Sequence, residues 1–215
     1  AEHDVVVGAL ASHLGYGALQ AVIEAGRDYC DISFMPEDAL ALDEQAREAG
    51  VTAIVDCGVA PGMSNFLAAL GARRLDPARR IFIAVGGVPE ARSWPFEYKA
   101  GFAPADVIEE YTRPARFRVD GRMVEKPALS DVERVEIPGL GTLEAFNTDG
   151  LRSLLRTLKA PTMVEKTMRY PGHAALMERF RAAGMFSMEP IDVGGATVRP
   201  RDVFAAIVFP QWTYE

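Results

Sequence analysis

The chain has 215 residues, of which 49% are hydrophobic and 25% charged, a balance that excludes a disordered tail and suits one large domain or one and a half. No stretch of about 18 uncharged apolar residues occurs, so no transmembrane helix is expected. Lys and Arg number 23 against 30 Asp and Glu, a formal charge of -7 without segregated basic residues, which excludes a nucleic-acid footprint.

Residues 4–10 read as a short β-rich run, and Leu14, Leu19, Val22 and Ile23 follow at helical spacing, with Gly26 as the stop. Tyr29 to Ile32 reads as a second strand, Pro36 to Ala49 as a second helix ending at Gly50, and Val51 to Val55 as a third strand. A further helix carries Met63, Phe66, Leu67 and Leu70 on one face. Three strand and helix alternations with short links predict a parallel, doubly wound layer. Gly15 and Gly17 imitate the start of a G-x-G-x-x-G turn, but the third glycine is missing, so helix packing is the better reading.

After Leu75 the pattern changes to a mixed α+β region. Arg80 to Gly87, Val107 to Tyr111, Arg116 to Val119 and Val132 to Ile137 are candidate strands, with Asp120-Gly121 as a hairpin signal. A helix is expected over Asp149 to Leu158, a strand over Thr162 to Met168, and a helix from His173 through Leu176, Phe180 and Ala183 to Gly184. Residues 89–105, with Trp94 and two Phe, suit a lid, an interface arm or a packed loop.

Cys30 and Cys57 are too few for a disulfide framework and lie in no zinc spacing. A reduced, cytoplasmic setting is the default, with no membrane and no nucleic acid as partner. Position 1 is not Met, which leaves processing or truncation open.

Cys57-Gly58-Val59-Ala60-Pro61-Gly62 joins the end of a parallel strand to the start of a helix, where open sheets put ligands. Pro61 in the first helical turn would leave N–H groups free for an anion; an ordinary strand-to-helix link is the equal alternative. In Thr167 to His173, Arg169 has the planar fork to clamp a carboxylate, with Tyr170 and His173 near it; an ion pair and a helix-start histidine is the plainer account. Asn147, Thr148 and Asp149 suit helix capping, with substrate contact by the Asn147-Thr148 pair as the other reading; Asp31 could anchor an amino group, and His13 lies just beyond a strand end.

Together Asp4 to Leu10, Tyr29-Cys30-Asp31, Asp56 to Gly62, Glu144 to Gly150 and Thr167 to His173 resemble the saccharopine dehydrogenase-like family of nicotinamide-dependent amino-acid oxidoreductases, its lysine dehydrogenase branch most. The resemblance implies an α/β chain: a partial Rossmann-like parallel sheet, residues 1–62, followed by a mixed-sheet α+β substrate and dimerisation domain, residues 63–215, with the active site in the cleft between them. It places Ala9, Leu10, His13, Cys57, Gly58, Val59, Pro61 and Gly62 on the cofactor side, and Asp31, Asn147, Thr148, Arg169, Tyr170 and His173 around the substrate. The implied activity is hydride transfer at the C–N bond of a lysine- or saccharopine-type amino acid through an imine, in a homodimer, with no general base singled out. The family's Gly-rich loop is missing, so NAD or NADP binding by this chain alone is expected to be weak or absent. The alternatives are an inactive remnant serving as a binding or structural protein, and a hydrolase built on Cys57 with His173.

Overall fold

The computed structural model describes residues 3–75 and 77–214. The chain divides into two compact units, Ala1–Ile83 with Phe117–Met123 and Gly150–Val164, and Ala84–Arg116 with Val124–Asp149 and Glu165–Glu215. No helix of the described residues is long and apolar enough to cross a membrane.

In the first unit, β1 (Val5–Gly8), β2 (Asp28–Asp31) and β3 (Ala53–Ile54) form a parallel sheet in that order. Val7 pairs with Cys30, and Cys30 with Ile54, so these three form one row across the sheet. Helix α1 (Ser12–Glu24) contributes Leu19 and Ile23, which pack with Tyr29, Met35, Leu42 and Ala46 into the core of this unit. Gly15 and Gly17 lie inside α1 and form no phosphate turn. The single helix expected over Pro36 to Ala49 is a 3-10 turn, Ala39–Leu42, and then α2, Asp43–Glu48. Asp38 starts the turn by accepting from the Leu40 amide, since a short acidic side chain satisfies an orphan donor there.

The other face of this sheet is open: Val5 is 56% and Val7 74% exposed. Helix α3 (Met63–Leu75) forms where expected, but its stripe of Met63, Phe66, Leu67 and Leu70 is exposed, not core. Periodicity identifies an amphipathic helix, not what covers its apolar side.

A second sheet, antiparallel where β5 meets β9, β9 meets β8 and β8 meets β7, has the strand order β6 (Arg122–Lys126), β5 (Ala115–Val119), β9 (Thr162–Arg169), β8 (Gly141–Asn147), β7 (Glu133–Ile137), with β4 (Arg80–Gly86) also paired to β9. Asp120 and Gly121 both have positive φ between β5 and β6, as the hairpin signal requires. Val107 to Tyr111 is not a strand; it belongs to helix α4 (Pro104–Thr112). Pro104 and Asp106 favour its first turn, and Val107, Ile108 and Tyr111 fall on one buried face. The helix expected over Asp149 to Leu158 shrinks to α5, Leu154–Thr157, because Asn147 ends strand β8 and the next residues bond elsewhere.

The second unit is closed by α6 (His173–Ala182), the antiparallel hairpin β10 (Ile191–Val193) and β11 (Ala196–Val198), and α7 (Pro200–Trp212). Its core is aromatic. Trp212 is fully buried and packs edge-on against Phe96, Tyr98, Tyr111 and Phe204, while stacking on Phe209. Phe96 and Tyr98 anchor the 89–105 stretch in this core, so that part is a packed loop, whereas Trp94 is 90% exposed.

The Trp212 indole N–H has no hydrogen-bond partner among the described residues, so its value lies in packing. Trp212→Ala is expected to cost about 3–5 kcal/mol in urea denaturation, and Trp212→Phe under about 1.5 kcal/mol. Equal losses would contradict a purely packing role.

Candidate functional site

In the first unit the ends of β1 and β2 lie side by side, with Gly8 paired to Asp31. A side chain at Gly8 would place its Cβ 1.9 Å from the Tyr29 hydroxyl and 2.4 Å from Asp31 Oδ1; only glycine permits that approach. Asp31 is fully buried, and its Oδ1 accepts from the Ser33 amide at 3.1 Å and the Ser33 hydroxyl at 2.7 Å. Its Oδ2 and the Tyr29 hydroxyl have no partner among the described residues. Burial, with Asp31 alongside, pushes the Tyr29 phenol up to about 12.

Beyond β1, Ala9, Leu10 and His13 are exposed. Helix α1 begins beside them without a side-chain cap or an acidic residue in its first turn, which leaves that end open to an anionic group. The turn from Cys57 to Gly62 differs from expectation. Pro61 is not in a helical turn; it follows a cis bond, and α3 starts at Met63. The amides of Met63, Ser64, Asn65 and Phe66 are taken by carbonyls of Gly58, Val59 and Gly62. This helix start has no free N–H fork for an anion. Gly62 has φ 145, and a Cβ there would meet the Gly58 carbonyl oxygen at 1.9 Å, so the turn closes only around glycine. Val59 is exposed, Cys57 and Gly58 are half-buried, and Pro61 is buried.

In the second unit, Asn147, Thr148 and Asp149 are buried but cap no helix. Asn147 donates to Ser130 Oγ at 2.9 Å and Asp131 Oδ2 at 3.0 Å. Thr148 donates to Glu165 at 2.8 Å and lies 2.8 Å from the Thr167 hydroxyl. Asp149 accepts a two-pronged bond from Arg116 at 3.0 and 2.7 Å. The strand end is thus tied across the sheet, a use of Asn, Thr and Asp that local sequence does not distinguish from capping.

Arg169, 3% exposed, pairs with Glu110 on α4 at 2.8 Å and donates to the Met168 carbonyl at 2.9 Å. Its guanidinium lies 4.6 Å over the Tyr98 ring. Burial opposes its charge, but Glu110, Tyr98 and Tyr111 outweigh that and hold it above its ordinary value. Burial in turn raises Glu110, against the pull of Arg169. Of the Arg169 nitrogens, Nε is buried without a partner among the described residues. Tyr170 donates to the Pro89 carbonyl at 3.0 Å and lies under Arg92. Glu144 accepts from the Gly172 amide at 2.9 Å, fixing the turn ahead of α6.

His173 faces the Phe96 carbonyl at 3.1 Å through Nδ1 and the Tyr111 hydroxyl at 2.8 Å through Nε2. A carbonyl only accepts, so the proton is assigned to Nδ1, and Tyr111 donates to Nε2. Burial, then the Arg169 charge, pushes its pKa down to about 3. Both nitrogens of a neutral ring are engaged, which leaves none to activate a thiol. Arg169, Tyr170 and His173 therefore do share one neighbourhood, but within a buried network with Tyr98, Glu110 and Tyr111. Glu110 and Tyr98 were not singled out from sequence; reading 104–112 as a helix would have turned attention to its inner face.

No group of three or more His, Cys, Asp or Glu among the described residues could hold a metal ion. Residues 1–54 match the model of the saccharopine dehydrogenase NADP binding domain, and residues 58–215 that of the saccharopine dehydrogenase C-terminal domain. Mitochondrial alpha-aminoadipic semialdehyde synthase of Mus musculus is 26% identical over 203 residues, covering 86% of this chain and 22% of that protein. Saccharopine dehydrogenase (NADP+, L-glutamate-forming) of Pyricularia oryzae is 22% identical over 201 residues, covering 88% of this chain and 45% of that protein. Apo saccharopine dehydrogenase (L-Glu forming) of Saccharomyces cerevisiae superposes with a TM-score of 0.64 at 19% identity, over 86% of this chain and 44% of that one. The chain spans about half the length of these relatives or less, and the structural likeness establishes the fold.

Arg169→Met strands Glu110 and is expected to cost about 3–5 kcal/mol in chemical denaturation, with part recovered in Arg169→Met/Glu110→Gln. A second expectation concerns acid. An unfolded His173 protonates near the ordinary imidazole value of 6.5 while the folded one resists to about 3, so the unfolded state binds more protons between these values. Stability is then complete above 6.5 and falls by up to about 1.4 kcal/mol per pH unit below it. His173→Gln should flatten that slope in denaturation curves across pH; an unchanged slope would assign the acid sensitivity elsewhere.

Proposed function

Because the chain belongs to the saccharopine dehydrogenase family, we propose that it is part of an NAD- or NADP-dependent oxidoreductase acting on the C–N bond of an amino acid of the lysine or saccharopine type. The observation that carries this reading is the succession, in one chain, of a segment matching a dinucleotide domain and one matching its C-terminal partner. The first segment contributes an open parallel sheet whose strand ends hold Gly8 and the buried Asp31, the place where such sheets receive ligands.

When bound, the nicotinamide supplies the hydride-accepting carbon. In this reading the exposed Ala9, Leu10 and His13 and the uncapped start of α1 border the cofactor. Gly8 keeps the strand end bare of side chain, and the Gly58–Gly62 closure sets the path of the adjoining turn. Asp31 is the group assigned to the amine: Ser33 holds one carboxyl oxygen in place, and Oδ2 is left to receive an N–H. Orientation of this kind is the protein's main share in such chemistry. Within the second unit taken by itself, Arg169 is the proposed donor to a carboxylate, its buried Nε having no partner among the described residues. Tyr170 and His173, already engaged by neighbours, belong to its surroundings, while Asn147 and Thr148 hold the end of β8.

The test is amine-dependent reduction of NAD(P)+ by the protein carrying this chain, with lysine and saccharopine as substrates. Asp31→Asn is expected to lower kcat/KM by roughly a hundredfold while leaving thermal unfolding close to wild type. Turnover unaffected by Asp31→Asn would remove Asp31 from the reaction, and no turnover with any amino acid would remove the oxidoreductase reading.

A further inference from the structure

The two cysteines of the chain converge on one spot. Cys30 lies on β2, in the strand's half-exposed row, while its neighbours Tyr29 and Asp31 are buried on the opposite face. Its partner across the sheet is Ile54. Cys57 comes back over that pairing: its amide donates to the Asp31 carbonyl at 3.0 Å, one residue beyond Cys30, and its thiol lies 3.9 Å from the carbonyl of Ile54. Both thiols are free and half-buried, and Cys30 shares its row with Val7 and Ile54, which are exposed.

We propose that Cys30 and Cys57 are a redox-active pair that closes reversibly into an intramolecular disulfide, with a small-molecule disulfide such as oxidised glutathione as oxidant. This is independent of the reading of the chain as an oxidoreductase.

Burial and the neighbouring Cys30 push the Cys57 thiol up to about 11, so Cys57 is a poor first attacker and is assigned the second step, since the thiolate is the nucleophile. The Cys30 thiolate attacks one sulfur of oxidised glutathione, and one glutathione leaves as thiolate. Cys57 gives its proton to solvent and attacks the Cys30 sulfur of the mixed disulfide, and the second glutathione leaves. Two protein thiols have then lost two protons and two electrons, and one oxidised glutathione has become two reduced ones. The product tethers β2 to the turn that begins at Cys57, so that the turn gains a covalent anchor one residue from Asp31.

Exposure of the folded protein to oxidised glutathione, followed by intact-mass measurement, tests this. The expected product lacks two hydrogens, retains no glutathione, and returns to the starting mass with a dithiol reductant. Cys57→Ser is expected to retain one glutathione on Cys30, because the second step has no nucleophile. Ring closure should be at least about tenfold faster in the folded chain than in urea, where the ends of the loop must find each other. Two unreacted thiols, a wild-type chain that keeps glutathione, chains linked to each other, or equal rates folded and unfolded would each overturn the proposal.

Discussion

Arg169 carries a positive charge at 3% exposure, and much of the second unit is arranged around that burden. An unpaired charge at such a site is prohibitively costly. Glu110 supplies the counter-charge, Tyr98 a ring face, and Met168 a carbonyl. Tyr98 and Tyr111 then reach Trp212, which ties α4, α7 and the 89–105 stretch into one aromatic core. The same charge helps keep His173 neutral, and neutrality fixes its tautomer through Phe96 and Tyr111. Polar network and apolar core are therefore one construction.

The first unit works on a different principle. Its sheet is shielded on one face by α1 and α2, and the polar business is confined to the strand ends, where Gly8, Tyr29, Asp31 and Ser33 crowd together. The crowding holds Asp31 in one orientation, while the loop from Cys57 to Gly62 is locked by its own backbone. Rigidity here comes from glycine, main-chain bonds and the Ser33 bonds to Asp31, with no buried ion pair like that of Arg169 and Glu110 among the described contacts at these strand ends.

These differences explain what was legible in the sequence. The strand and helix alternation of residues 4–26 is local, and so were the hairpin at Asp120-Gly121 and the stop at Gly184, each set by one glycine. Residues 107–111 were not legible, because a short run of Val, Ile and Tyr fits either a strand or one side of a helix until Pro104 is taken as its start. The partner of Arg169 lies 59 residues away, and the partners of Thr148 and Asp149 lie 17 and 33 residues away; no spacing rule reaches them. Arg169, Tyr170 and His173 lie close together in the sequence, but the Glu110, Tyr98 and Tyr111 partners that bury them do not, and periodicity carries no information on those.

The bare row of Val5, Val7 and Ile54 has a consequence for the behaviour of the chain in bulk solution. Parallel sheets are ordinarily covered on both faces, and an apolar strand face with nothing upon it is a nucleus for self-adhesion. What opposes it is the charge of -7, which acts only through repulsion that salt screens. For a sample of these 215 residues alone, that protection is expected to weaken as salt rises even where the fold stays intact.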